Sequence, residues 1–160
     1  MRCRISKPNL KVKLMNNVKF VYVTYIATAL EKVWQALVQG DLSRQWWQIE
    51  LESDWQAGSG WRHIGDDEKR TVKRIGTVLE SIPNQRLVYT WITPEHAADK
   101  TRHSKVSIDL EAVGEKVRLT VTHEDLTAEG LKGISYGWPL VLSSLKSFLE
   151  TGKPLVFSTH

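Results

Sequence analysis

The chain has 160 residues, 41% hydrophobic and 25% charged, enough for one domain-sized core and without the bias of a disordered or collagen-like sequence. No apolar run approaches the roughly 20 residues needed to span a bilayer, and the N-terminus lacks the apolar stretch of a secretory signal, so a cytoplasmic protein with no membrane partner is expected. The net charge of +4 is local: Arg2, Arg4, Lys7, Lys11 and Lys13 precede Met15 with no acid among them, leaving 17 of the 22 basic residues against all 18 acidic ones. Nucleic acid is therefore not an expected partner.

Residues 1–17 read as a basic tail, either disordered or a misassigned start with Met15 as the true initiator, residues 18–152 as a single domain, and 153–160 as a C-terminal tail. Cys3 is the only cysteine, which rules out a disulfide framework within the chain. The β-branched and aromatic run Phe20–Ile26 predicts a strand. Thr28 with Glu31 three residues later reads as a capping box, and Leu30, Val33, Trp34 and Leu37 then fall on one helical face. Gly40 is placed to end that helix, and Asp41 or Ser43 to cap a second short one up to Trp47.

Beyond this point the chain reads almost entirely as strand. Ile49–Trp55 and Gly60–Ile64 flank a tight turn at residues 57–60, Val72–Ser81 and Arg86–Thr93 flank Pro83-Asn84, and a polar loop at 94–103 precedes Ser104–Ala112 and Lys116–Glu124. The last two alternate cleanly, with Val106, Ile108 and Leu110, then Val117, Leu119, Val121 and His123, on one face. A final helix is predicted from Ser135 to Thr151, its apolar stripe formed by Trp138, Val141, Leu142, Leu145, Phe148 and Leu149, with Pro139 near its start and Gly152 as its C-cap. The order implies an α+β fold, a curved antiparallel sheet of six to seven strands wrapped on a long C-terminal helix, with two short helices after the first strand.

The segments IATALEKVWQAL (26–37), QWW (45–47), DWQAGSGW (54–61), GTVLESIPNQRLVYTW (76–91), SKVSIDLE, VRLTVTHEDL and GWPLVLSSLKSFLETG (137–152) carry a resemblance. In their order and spacing they resemble the helix-grip superfamily of START and Bet v 1-like proteins, and more narrowly the bacterial family named for the C-terminal domain of the Hsp90 ATPase activator Aha1. The resemblance covers about residues 18–152. It implies seven strands gripping the long helix around a cavity that often takes an apolar small molecule, and it implies no reaction.

Chemical motifs are sparse. The histidines have neither zinc-ligand spacing nor a partner cysteine, Gly58-Ser59-Gly60 lies in a hairpin rather than a nucleophile elbow, and no phosphate-binding glycine motif occurs. No metal and no cofactor is expected. His123 is the one titratable residue that alternation puts on the apolar face, where it reads as a hydrogen-bonded residue at the sheet edge or as a group that orients a ligand. Tyr89 and Trp91 share an inward parity with Leu87, and Trp61 and His63 share another. Trp46 and Trp47 point about 100° apart on a helix, so one packs inward while the other, taken as Trp47, borders the cavity mouth. Trp55 is assigned to closing the hairpin.

The leading expectation is a protein that encloses a hydrophobic or aromatic small molecule against Trp47, Trp61, His63, Tyr89, Trp91, His123, Trp138 and Leu142, with no catalytic residue assigned. The alternatives are a cyclase- or dehydratase-like enzyme, as in some relatives of the fold, using His123, Tyr89 and His63 as acid and base, and a chaperone-linked interaction module or homodimer. Exposed tryptophans in QWWQIELESDW (45–55) would favour the last.

Overall fold

Alternation along Val18–Ile26 leaves every second side chain exposed, which makes this segment an edge strand with one buried face, β1. The computed structural model describes residues 18–155 and 157; the proposed N-terminal tail and most of residues 156–160 lie outside the described residues. Two helices follow, α1 (Leu30–Val38) and α2 (Gly40–Trp47), then strands β2 (Ile49–Ser53), β3 (Gly60–Gly65), β4 (Val72–Ile82) and β5 (Arg86–Trp91). The loop at 94–103 holds two short 3-10 turns, Pro94–His96 and Lys100–Arg102. The chain ends in β6 (Ser104–Val113), β7 (Lys116–Leu126) and the 24-residue helix α3 (Ala128–Thr151).

The seven strands form one antiparallel sheet in the order β1-β7-β6-β5-β4-β3-β2. Helix α3 packs against β1 and β7, and also against α2, so the sheet's inner face grips the helix. The core between them is built from Ile26, Val78, Leu87, Val106, Ile108, Leu119, Val121, Leu142 and Leu145, together with the buried tryptophans. Among the described residues no helix is long and apolar enough to cross a membrane.

Several helix boundaries differ from the sequence reading. The N-cap of α1 is Ala29 and makes no side-chain cap bond, so the Thr28–Glu31 capping box does not form. Gly40 opens α2 rather than merely ending α1, whose C-cap is Gln39. Ser43 is no cap either: it is fully buried, and its hydroxyl meets the Gly40 and Ile49 carbonyls and accepts from the Leu51 amide, which ties α2 to β2. Strand β2 ends at Ser53, two residues early, because Trp55 adopts a left-handed backbone with φ of 54°.

Helix α3 starts seven residues before the predicted Ser135. Thr127 caps it by accepting from the Gly130 amide at 3.0 Å, and Pro139 lies in its interior. Glycines 130 and 133 hid this first stretch from propensity reasoning, since each is a poor helix former.

Between β4 and β5 the ladder is partly carried by side chains. Ile75 pairs with Ile92 and Val78 with Tyr89, but between them the Trp61 indole donates to the Thr90 carbonyl at 2.7 Å and the Thr90 hydroxyl accepts from the Thr77 amide. Trp61 lies directly opposite Gly76, whose missing side chain leaves the indole its path. A Cβ there would overlap both the Thr90 carbonyl oxygen and Trp61 Nε1, whereas one at Gly137 would meet open space. Gly76→Ala is expected to destabilise the fold by about 3 kcal/mol, and Gly137→Ala to stabilise it by about 0.5–1 kcal/mol. Urea denaturation of both variants checks the contrast, and equal effects would contradict it.

Candidate functional site

Trp91 ends β5 at the centre of an aromatic cluster. Its ring centroid lies 5.4 Å from that of Trp61, 5.6 Å from His123, 5.9 Å from Trp138, 6.2 Å from His63, 6.4 Å from Tyr89 and 6.5 Å from Trp47. Trp47 also lies 5.7 Å from Trp138 and 5.4 Å from His63, so helices α2 and α3 both reach this cluster. Tilted, offset and edge-to-face contacts at such separations are the favoured geometries of aromatic pairs.

One hydrogen-bond chain orients the cluster. The Trp138 indole donates to His123 Nδ1 at 3.1 Å, which leaves the proton of the neutral ring on Nε2. Nε2 donates to the Ser104 hydroxyl at 2.8 Å, and that hydroxyl donates to the Trp91 carbonyl at 3.1 Å. Both nitrogens of His123 are thus committed. The side chain is wholly inaccessible, and burial lowers its pKa to about 4. His123 does not lie at a sheet edge: β7 is flanked by β1 and β6, and the residue stands opposite both Phe20 and Val106.

Two open clefts meet at the outer side of Trp91. The larger, about 420 Å³, runs between the end of the sheet and the first turns of α3, with Trp91, Ile92, Leu126 and Ile134 as its apolar side, the buried His123 behind them, and Arg74, Arg102, Asp125 and Glu129 among its charged lining. The smaller, about 200 Å³, is lined by Trp47, His63, Trp91, Trp138, Ile134 and Val141, with Lys73 and Arg74 at its rim. Gly130 and Gly133 border the first and Gly137 the second, so the missing side chains of α3 keep both clefts open.

The structure therefore separates the expected site residues. Trp47, His63, Trp91 and Trp138 line the smaller cleft, and Trp91 also borders the larger, with the buried His123 behind it. Tyr89 and Leu142 are buried and border neither cleft, as they support the floor from beneath. Trp61 is also buried below Trp91, and its other edge borders a separate polar groove with Glu52, Asp54 and Arg62. The space is thus an open cleft over stacked rings rather than an enclosed chamber lined by Trp61 and Tyr89. Trp46 is buried with its indole donating to the Ala36 carbonyl, and Trp55 is buried 6.3 Å from Tyr89.

Sequence reasoning missed Arg74 and Lys73. Arg74 stands directly opposite His63 and shares the inward parity of Gly76 and Val78, but the mixed apolar pattern of Val72–Leu79 assigns neither face. Lys73 is the extra residue of a β-bulge: His63 pairs with Arg74 while Ile64 pairs with Val72. Burial first, then the charges of Arg74 and Lys73, lower the pKa of His63 to about 4, and its Nδ1 is buried without a hydrogen-bond partner among the described residues. Among the described residues no group of three His, Cys, Asp or Glu side chains is placed to hold a metal ion.

The sequence profile described as activator of Hsp90 ATPase homolog 1-like protein matches residues 27–150. Solved structures share the fold. The Aha1 dimer from Colwellia psychrerythraea is similar at 24% identity, covering 85% of this chain and 98% of that one, with a TM-score of 0.69. CalU16 from Micromonospora echinospora is similar at 21% identity over 86% and 76% of the two chains, TM-score 0.70. ChR145 from Cytophaga hutchinsonii is similar at 26% identity over 84% and 95%, TM-score 0.69. No curated protein matches the chain.

The buried hydrogen-bond chain has a pH signature. His123 titrates near 6.5 when unfolded and near 4 when folded, so its stabilising effect is complete above pH 6.5 and is lost as pH falls toward 4. The loss from this residue alone amounts to about 3 kcal/mol. In urea denaturation between pH 7 and 4, wild-type stability is expected to fall more steeply than that of His123→Gln, whose amide can accept from Trp138 and donate to Ser104. Parallel curves would contradict the assignment.

Proposed function

Because the chain belongs to the activator of Hsp90 ATPase homolog 1-like family, whose profile matches residues 27–150, from the end of β1 to the last turn of α3, we propose that it is a binding protein for a hydrophobic or aromatic small molecule, held in the cleft over Trp91. One observation carries this reading: the aromatic floor of Trp47, Trp91 and Trp138 opens to solvent at the point where α3 presents glycines instead of side chains. A concave, mostly apolar surface with a few polar groups at its rim is the usual form of a ligand site; the larger of the two clefts that meet at Trp91 falls within the roughly 300–1,000 Å³ of such sites, and the smaller, about 200 Å³, suits a compact ligand.

Acid–base catalysis by His123 and Tyr89 has no comparable support. Both nitrogens of His123 are hydrogen-bonded inside the core, and burial raises the Tyr89 hydroxyl well above its ordinary range, so neither group is poised to exchange a proton with a substrate near neutral pH. The interaction-module reading loses its expected mark as well, because Trp46 and Trp55 are buried and Trp47 is stacked within the cluster.

Gly137 offers a test that leaves the floor intact. Gly137→Leu puts a side chain into open space beside Trp47 and Trp138 and improves helix propensity, so the variant is expected to fold at least as stably as wild type. Nile red, a neutral apolar dye, is expected to brighten on the wild type and to bind the variant about tenfold more weakly. Equal binding to both would contradict the cleft as the site.

A further inference from the structure

Charge at the rim of the smaller cleft narrows the ligand class beyond the reading above, on which this inference rests. The residues that line the cleft include two cations, Lys73 and Arg74, and no carboxylate. Elsewhere on the surface arginines are matched with acids: Arg62 with Glu52, Arg70 with Glu50, Arg86 with Glu80 and Asp109, and Arg118 with Glu111. Arg74 makes no ion pair among the described residues, and its one hydrogen bond goes from Nη1 to the Lys73 carbonyl at 2.6 Å. Lys73 is likewise without an ion pair among the described residues.

Both cations are aimed at the cleft by the fold. Arg74 occupies an inward-facing position of β4, the face that a sheet of this kind normally fills with apolar side chains, as Val78 does on the same parity. Lys73 is carried by the bulge, a feature that re-aims a side chain at the cost of a ladder bond. Between them and the tryptophans stands His63, with a buried ring nitrogen that no group among the described residues satisfies. An unpaired buried polar atom costs free energy, and a bound polar group would recover it.

We propose that the natural ligand is an aromatic carboxylate, its ring lying on Trp47, Trp91 and Trp138 and its carboxylate held by the Arg74 guanidinium, with Lys73 as the second cation. A guanidinium offers a carboxylate two parallel N–H donors, and such charge-assisted bonds are about twice as strong as neutral ones. The neighbouring larger cleft carries mixed charge, Asp125 and Glu129 beside Arg74 and Arg102, whereas the rim of the smaller cleft carries cations alone, which favours the smaller cleft for the charged end.

The test is a matched pair, 2-naphthoate and its neutral amide 2-naphthamide, titrated by tryptophan fluorescence quenching. Wild type is expected to bind the carboxylate about tenfold or more tightly than the amide, in a salt-sensitive manner, and Arg74→Gln is expected to bring that ratio close to one. Lys73→Gln should lower the ratio by a smaller factor. Equal affinity of wild type for the two compounds, with both weakened by Gly137→Leu, would overturn the carboxylate assignment and leave the cleft reading standing. A ratio untouched by Arg74→Gln would overturn the residue assignment. Failure of both compounds to bind at their solubility limits would overturn the cleft reading together with this one.

Discussion

The hydrogen bond from the Trp138 indole to His123 joins the long helix to the sheet inside the aromatic cluster. It sets the tautomer of the histidine, so the next bond must run from Nε2 to Ser104, and the serine then holds the carbonyl of Trp91. Three strands and the helix are thereby tied by polar contacts buried in an otherwise apolar core. A buried network of this kind is worth having only when every member is satisfied, and here each donor finds an acceptor. The consequence is rigid placement of the Trp91 and Trp138 rings, 5.9 Å apart, which form the floor of the cleft.

The cleft depends on an opposite choice in α3. Three glycines in its first ten residues forgo side-chain packing and cost about 0.5–1 kcal/mol each relative to alanine. The lower part of the helix, with Leu142 and Leu145 fully buried, supplies the packing that the upper part gives up. One element thus anchors the core at its C-terminal end and opens a binding surface at its N-terminal end. The aromatic cluster beneath forms the floor of that surface without filling it.

Much of the fold was legible in the sequence because its strands alternate. The pairing of β6 and β7, and the inward parity of His123, follow from a strict period of two, with Val106, Ile108 and Leu110 opposite charged or hydroxyl neighbours. Periodicity cannot show pairing partners, which is why His123 was placed at an edge although β1 returns to cover β7. The site was legible in part. Trp47, His63, Trp91 and Trp138 are large or titratable and stand out singly, but Arg74 and Lys73 owe their direction to a bulge that no local pattern in VKRIGTVL announces. The start of α3 was hidden for a related reason, since glycines that open a cleft also weaken the helical signal. The three tryptophans of QWWQIELESDW, which composition alone marks as an aromatic patch, divide into two that are buried and one that meets the cleft.

The central claim is that a ligand contacts the outer side of the Trp91-centred cluster, and the indole N–H resonances of the seven tryptophans report on it individually. With 2-naphthoate added to isotopically labelled protein, the Trp47, Trp91 and Trp138 signals should shift in a saturable way, while those of Trp34, Trp46 and Trp55 stay in place. Shifts confined to Trp34, Trp46 or Trp55, or no saturable shift at all, would contradict it.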